Sequence, residues 1–408
     1  MQLLKNKHPF SIIFLSALLA FFVDIKCVNL ILAHGFFNGG EQGFTTMLYI
    51  LVLPLIFISL LSIRYKVDYY RNLLLLSTIS ILLLYLILTI TFVGEPRISL
   101  FSFLGTVILG LLMPNITFIN SRVFIKSIMI IPIPGLLVLD RIFAMTSLWV
   151  EGISMEASYA FMLPIIANIV YLRFYFLKES VFKKIVTFFV TLCNLVYLFE
   201  IIFWGSRGTI LSILGVVVFL AVVSPNVGKW GVVINRRRLM ILSISFVLLL
   251  IFFIPIVNFF VGQFDALGVQ SRAFVKIMEL KQEGDLSNGR SDLVSFTLNA
   301  FWESPLWGHG IDRFDANTGQ LYPHNFILQT LYDGGVFLFL VLLVPFFLKV
   351  ISSFRHCDNN NFSILCIFLF SSVPWAFLSE DMWEILPLWF FIGLAYRPNR
   401  AYKFYKKC

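Results

Sequence analysis

Three short polar stretches carry the residue types that could do chemistry in this chain. They are Gly205-Ser206-Arg207-Gly208-Thr209, Asn288-Gly289-Arg290-Ser291-Asp292 and Tyr322-Pro323-His324-Asn325. Two arginines and a histidine suit a reaction at a phosphate group. A guanidinium grips phosphate oxygens through two parallel hydrogen bonds, and a neutral imidazole can take the proton of an attacking hydroxyl. A departing diphosphate spreads its charge over oxygens that fixed arginines would stabilise.

Each stretch also has an ordinary reading. An arginine at a membrane boundary is commonly an anchor that snorkels to the interface. Arg207, however, is flanked by glycines and opens a helix, where free N–H groups favour an anion. Glu200, in the preceding apolar run, is its expected partner, because a carboxylate inside a span is normally paired or functional. Tyr197 and Trp204 are placed near the same face. Arg290 opens a second helix, and a lone N-G-R is a weak signal that a capped surface helix would also produce. A single histidine is more often structural than catalytic. His324 nevertheless sits at a helix start, where the dipole disfavours imidazolium and keeps the ring neutral. Below it Asn325, Gln329 and Asp333 recur every fourth residue, forming a polar stripe that must face a cavity or a helix interface rather than lipid.

The elements that position these residues follow from composition. Of 408 residues 59% are apolar and only 13% charged, about half the charge a soluble domain of this size carries. The apolar runs are about twenty residues long, which selects helices over a β-barrel. The expectation is an all-α, polytopic membrane protein with twelve spans near 10–32, 44–63, 73–93, 99–119, 123–140, 157–177, 185–204, 208–224, 239–259, 326–348, 361–378 and 383–396. Most of the 31 basic residues then fall in alternate loops, which places both termini in the cytoplasm. The organisation expected is nine spans over 1–259, a loop or cap over 260–325 on the outer face, and three spans with a basic tail over 326–408.

Within the cap, a helix is expected over Gln270 to Gln282 and a second over Ser291 to Trp302. A glycine-rich turn, Trp307-Gly308-His309-Gly310, follows. A further amphipathic outer segment, Ile142 to Glu156, is expected to lie along the interface. The net charge of +9 resides in short loops between spans, so nucleic acid is not an expected partner. Cys27, Cys193, Cys357, Cys366 and Cys408 form no C-x-x-C pair, which argues against a disulfide framework or a cysteine metal site. No cleavable signal peptide is expected. No metalloprotease, nucleotide-binding or nucleophile-elbow motif is present, and the outer loops lack acidic residues at metal-ligand spacing. No metal and no other cofactor is expected.

Together these residues resemble the O-antigen polymerase and O-antigen ligase superfamily. The resemblance rests on Ser206-Arg207-Gly208, Gly289-Arg290, Pro305-Leu306-Trp307-Gly308-His309-Gly310, His324-Asn325 and Gly334-Gly335, in that order and on one side of the membrane. It covers the layout of the whole chain and the residues of about 200–340. It implies glycosyl transfer from an undecaprenyl-diphosphate-linked oligosaccharide on the periplasmic side of the bacterial inner membrane. Arg207 and Arg290 would contact the diphosphate, and His324 would activate the acceptor hydroxyl. Ser206, Asn325, Gln329 and Glu200 would complete the substrate site. The partners implied are the lipid bilayer, the lipid-linked oligosaccharide and a chain-length regulator protein.

Ligases of this group carry a second glycine three residues after the one matched by Gly335; here that position is Leu338. The stretch from Arg290 to His324 is also short for a ligase. Both points favour the polymerase, with ligation to lipid A–core as the alternative. A lipid transporter is a further alternative, but it should show two similar halves with polar groups near the midplane. Should His324 prove dispensable, His309, Asp312 and Asp315 are the next bases in the same loop.

Overall fold

The computed structural model describes residues 9–37, 73–116, 119–139, 151–204, 206–225, 232–244, 290–314, 322–355 and 357–397, with a few single positions between them. The expected spans 44–63 and most of 239–259, the expected helix at 270–282 and Asp315 lie outside the described residues.

Helices dominate. They are α1 (Pro9–Val23), α2 (Ile25–Leu30), α3 (Leu73–Leu88), α4 (Leu100–Asn115), α5 (Ser121–Ile130), α6 (Glu151–Phe174) and α7 (Val181–Trp204). After α8 (Arg207–Val222) come α9 (Arg290–Glu303), α10 (Phe326–Leu338), α11 (Val344–Arg355), α12 (Asn359–Leu378) and α13 (Leu386–Tyr396). Among the described residues six helical segments are long and apolar enough to cross a membrane, or seven if the bent pair α1–α2 is one span. Three shorter apolar helices, α4, α8 and α13, occupy places where spans were expected. The chain is thus a helical membrane protein, as composition requires.

One local expectation is corrected, and two details are added. The first apolar run is not one straight helix: it bends by 70° between Val23 and Ile25, at Asp24, a buried carboxylate within an apolar segment. Of the segment expected along the interface before span six, the part from Glu151 onward belongs to α6, which continues to Phe174. Within the all-α architecture, the described residues also hold one small two-stranded sheet. Val223–Pro225 pairs antiparallel with Val232–Ile234, where three valines and an isoleucine favour extended backbone.

Close packing is achieved with small residues, as lipid offers no hydrophobic drive between helices. A Cβ on Gly110 would come within 2.7 Å of Trp389 Cβ, and one on Gly393 within 2.5 Å of the Leu111 carbonyl oxygen, so α4 and α13 cross at backbone contact. Asn115 on α4 donates to the Gly393 carbonyl at 2.7 Å. Aromatic rings fill the remaining interior, as where Phe124 stacks on Phe390 with centroids 5.9 Å apart.

One break positions the site. Helix α10 is interrupted at Gly335, whose φ of +59° and ψ of −158° leave helical geometry. The backbone groups this frees are taken up by the turn after α9. The N–H groups of His309 and Gly310 donate to the carbonyls of Tyr332 and Asp333, and those of Val336 and Phe337 donate to Pro305 and Leu306, at 2.8 to 3.2 Å. Such satisfaction is what non-helical backbone needs away from water. A side chain at Gly335 or Gly308 would collide with the opposing backbone at 2.5 Å, and both have positive φ, a conformation only glycine adopts readily. The P-L-W-G-H-G turn is therefore a plug in a broken helix.

Candidate active site

Each of the three polar stretches ends at a helix start, and each helix start has a defined cap or anchor. Ser206 caps α8: its hydroxyl accepts from the Thr209 N–H at 3.2 Å, which leaves Arg207 as the first helical residue. Arg290 is the first residue of α9 and is partly buried. Asn325 caps α10 by accepting from the N–H groups of Ile327 and Leu328 at 3.0 and 3.3 Å. His324 lies just outside that helix with φ +54°, a strained backbone for a non-glycine residue and one that clusters at functional sites.

Arg207, Arg290 and His324 are brought into one neighbourhood. Arg290 donates through Nη2 to the carbonyl of Leu378, at 2.7 Å. The His324 ring leans on that same carbonyl, and the Arg290 charge acts on it. Arg290 also repels Arg207, which is itself partly buried. Burial first, and the Arg290 charge second, push the His324 imidazole down to about 4, against the pull of the Leu378 carbonyl. Its Nδ1 is buried with no hydrogen-bond partner in the protein. The tautomer that keeps its proton on Nε2 leaves Nδ1 as an uncommitted base.

The segment after α12 is where these groups converge, and sequence reasoning did not single it out. Leu378 ends α12 and offers its carbonyl as described. Ser379 Oγ lies 2.5 Å from the Tyr159 hydroxyl, and the Ser379 carbonyl accepts from the Tyr322 hydroxyl at 2.6 Å. Glu380 pairs with Lys26 at 2.6 Å, and Lys26 lies over the Trp375 ring. A backbone carbonyl and two hydroxyls leave no mark in a sequence. The one available signal was the acidic pair Glu380-Asp381 between two apolar helices.

Beneath this segment lies a polar brace. Asp381 Oδ1 accepts from Gln329 Nε2 at 2.7 Å and from the Trp383 N–H at 2.9 Å, while Gln329 Oε1 accepts from the Met382 N–H at 3.1 Å. Arg97 bridges Asp381, Glu384 and Asp312 at 3.1, 3.4 and 3.6 Å. The Trp383 indole donates to Asp333 at 2.6 Å. Burial raises the Asp381 carboxyl well above the usual carboxylate range, as does the adjacent Asp312. Burial lifts Asp312 to about 6, with Asp381 and Arg97 opposing that rise.

The polar stripe of α10 therefore faces a helix interface. Asn325 serves as a cap, Gln329 has both ends of its amide engaged, and Asp333 holds Trp383. Glu200 lies partly buried on α7, about one turn before Trp204. His309, a reserve base in the sequence reading, has Nε2 2.8 Å from the Ala300 carbonyl and stacks on Tyr332. Asp312, another reserve, is committed to the Ile98 N–H at 2.5 Å. Among the described residues no group of three or more His, Cys, Asp or Glu side chains could hold a metal ion.

A family model described as O-antigen ligase matches residues 192–343. This match supports the resemblance of the segment to the O-antigen polymerase and ligase superfamily. The matched stretch contains Arg207, Arg290, the plug at 305–310, His324 and the broken helix at Gly335, so the family's own segment supplies the two arginines and the histidine. It stops short of Leu378 to Asp381, on which they converge. No curated protein matches the chain. The match supports a membrane enzyme of O-antigen assembly, of glycosyltransferase type.

Proposed function

We propose that the protein is an O-antigen polymerase, joining undecaprenyl-diphosphate-linked oligosaccharide units at the periplasmic face of the bacterial inner membrane, with both termini in the cytoplasm. The observation that carries this reading is the convergence of Arg290 and His324 on the Leu378 carbonyl, with Arg207 alongside. Two guanidinium groups held near one another repel, and a doubly charged diphosphate relieves that repulsion.

In the reaction, the acceptor hydroxyl loses its proton to His324 Nδ1 as its oxygen bonds to the anomeric carbon of the donor sugar. The bond from that carbon to the diphosphate oxygen breaks, and its electron pair leaves on the diphosphate, where Arg207 and Arg290 balance the charge. No step needs a metal. Ser206 and Asn325 serve by capping the helices that present Arg207 and follow His324. Gln329 acts through Asp381, and Glu200 would complete the substrate site from α7.

Ligation of the glycan to lipid A–core is the second reading. Leu338 supports the polymerase, since it fills the position where ligases of this group carry a glycine. The test is to supply purified protein with undecaprenyl-diphosphate-linked repeat units alone. A ladder of longer lipid-linked products is expected. Product only after lipid A–core is added would establish ligation. Lipid movement across a vesicle with neither product would establish transport.

A further inference from the structure

Tyr159 lies on α6, outside the segment matched by the family model, and nothing in the reaction described above uses it. It is nonetheless the side chain that joins the two halves of the site. Its hydroxyl is 2.5 Å from Ser379 Oγ and lies against Gly208, two residues after the Ser206 cap. Ser206 caps the helix that begins with Arg207, and its main-chain N–H donates to Ser158 Oγ at 3.2 Å. Ser379 directly follows Leu378, whose carbonyl receives Arg290 and His324. Only glycine at 208 leaves room for this arrangement, since a Cβ there would overlap the Tyr159 oxygen and touch Leu378. The ring is fixed independently of the hydroxyl, because it stacks flat on Trp375 with centroids 4.9 Å apart and planes 2° from parallel.

We infer that Tyr159 is a positioning residue for diphosphate binding: its hydroxyl, bonded to Ser379 and seated against Gly208 at the start of the Arg207 helix, sets the spacing between Arg207 and the Arg290–His324 pair. This deepens the proposed function and rests on its assignment of the two arginines to the diphosphate. It also assigns a purpose to Gly208 of the S-R-G motif, which is to admit the tyrosine oxygen. Because the ring packs on Trp375 without help from the hydroxyl, removing the oxygen separates positioning from folding.

The test uses full-length protein in detergent and farnesyl diphosphate as a soluble probe. Tyr159→Phe should weaken probe binding by about tenfold, the size of one well-placed hydrogen bond, with the thermal midpoint unchanged. Ser379→Ala should do the same, and Ser379→Thr, which keeps a hydroxyl, should bind like the parent. The double variant Tyr159→Phe, Ser379→Ala should be no worse than either single, because both remove one shared bond. Independent, multiplying losses would overturn the inference, as would unchanged binding in Tyr159→Phe. Arg207→Ala and Arg290→Ala run in parallel separate the two levels. If they abolish probe binding and Tyr159→Phe does not weaken it, only the positioning role fails. If they leave binding untouched, the diphosphate site fails and the positioning role with it.

Discussion

The two ends of α6 present similar side chains in opposite electrostatic states. Near one end, the carboxylate of Glu179 receives Arg122 at 3.1 Å, Lys126 at 2.7 Å and the Tyr171 hydroxyl. Burial opposes its charge, yet Lys126 and Tyr171 hydrogen bonds and the Lys126 and Arg122 charges hold it down at about 2. About 18 Å away along the helix, at the 1.5 Å rise per residue, Tyr159 stands beside Arg207 and Arg290. Among the described ion pairs none reaches either arginine, and the histidine beside them is driven neutral. One end is a finished clamp, while the other gathers positive charge that no described ion pair balances. Two partly buried guanidinium groups held close together suit the anion that the proposed function places there.

Substitutions can break that contrast in both directions. The largest effect expected is on turnover, at the unbalanced end. His324→Ala, Arg290→Ala and Arg207→Ala should each lower polymerisation by about a hundredfold or more, the scale for removing a group that stabilises developing charge. Expression and thermal midpoint should be retained, and a band ladder on lipid-linked repeat units reads the outcome. Full-length ladders from His324→Ala would remove the base role. The next effect is on stability, at the balanced end. Glu179→Gln leaves Arg122 and Lys126 unmatched and should lower stability by about 1–3 kcal/mol, discounted from the buried-pair value because both cations are partly exposed. Turnover at a permissive temperature should not change. The sign in pH follows from the depressed carboxylate: its contribution is complete above about 4.5 and is lost as pH falls through about 2. Inactivity of a stable Glu179→Gln would show that the clamp is not a separate device.

A smaller effect concerns proton affinity at His324. The free enzyme holds it near 4, so kcat/KM should stay level as pH falls from 8 to about 5 and drop only below that. Bound diphosphate offsets the Arg290 charge, so the acid limb of kcat should sit at higher pH than that of kcat/KM. Coincident limbs near 6.5 in both profiles would mean that the ring is neither buried nor pressed by Arg290 during turnover.

Much of this contrast was legible before the structure, and the reason differs by element. The apolar runs announce helices because lipid permits little else, and the described helices fall where those runs lie. Arg207, Arg290 and His324 were visible because charged and titratable groups beside apolar helices are rare. Their meeting point was not visible. It is a main-chain carbonyl at Leu378, and every residue has one. Tyr159 was hidden for a related reason: a tyrosine in an aromatic-rich span reads as packing, and its role depends on where the oxygen points. The glycines at 308 and 335 could be seen as a motif, but their pairing through exchanged backbone hydrogen bonds is long-range and has no period. Asp24 shows the converse, since an acid within an apolar run is a signal of a break, and the sequence reading passed over it.

The smallest effect tests the brace beneath the site, which belongs to neither end of the comparison. Asp312 is raised to about 6 by burial, so the folded protein holds its proton more tightly than the unfolded chain does. A carboxyl raised in this way favours folding at acid pH, and that contribution is lost as pH rises through about 6. At pH 8 the native state must therefore carry a carboxylate that burial disfavours, close to Asp381. Asp312→Asn removes the charge, retains an oxygen for the Ile98 N–H and offers a donor to Asp381. Its thermal midpoint should exceed the parent's by a few degrees at pH 8 and match it at pH 4. A variant less stable at pH 8 would show that the Arg97 ion pair outweighs the buried charge, and the brace would then belong with the Glu179 clamp as a satisfied electrostatic tie.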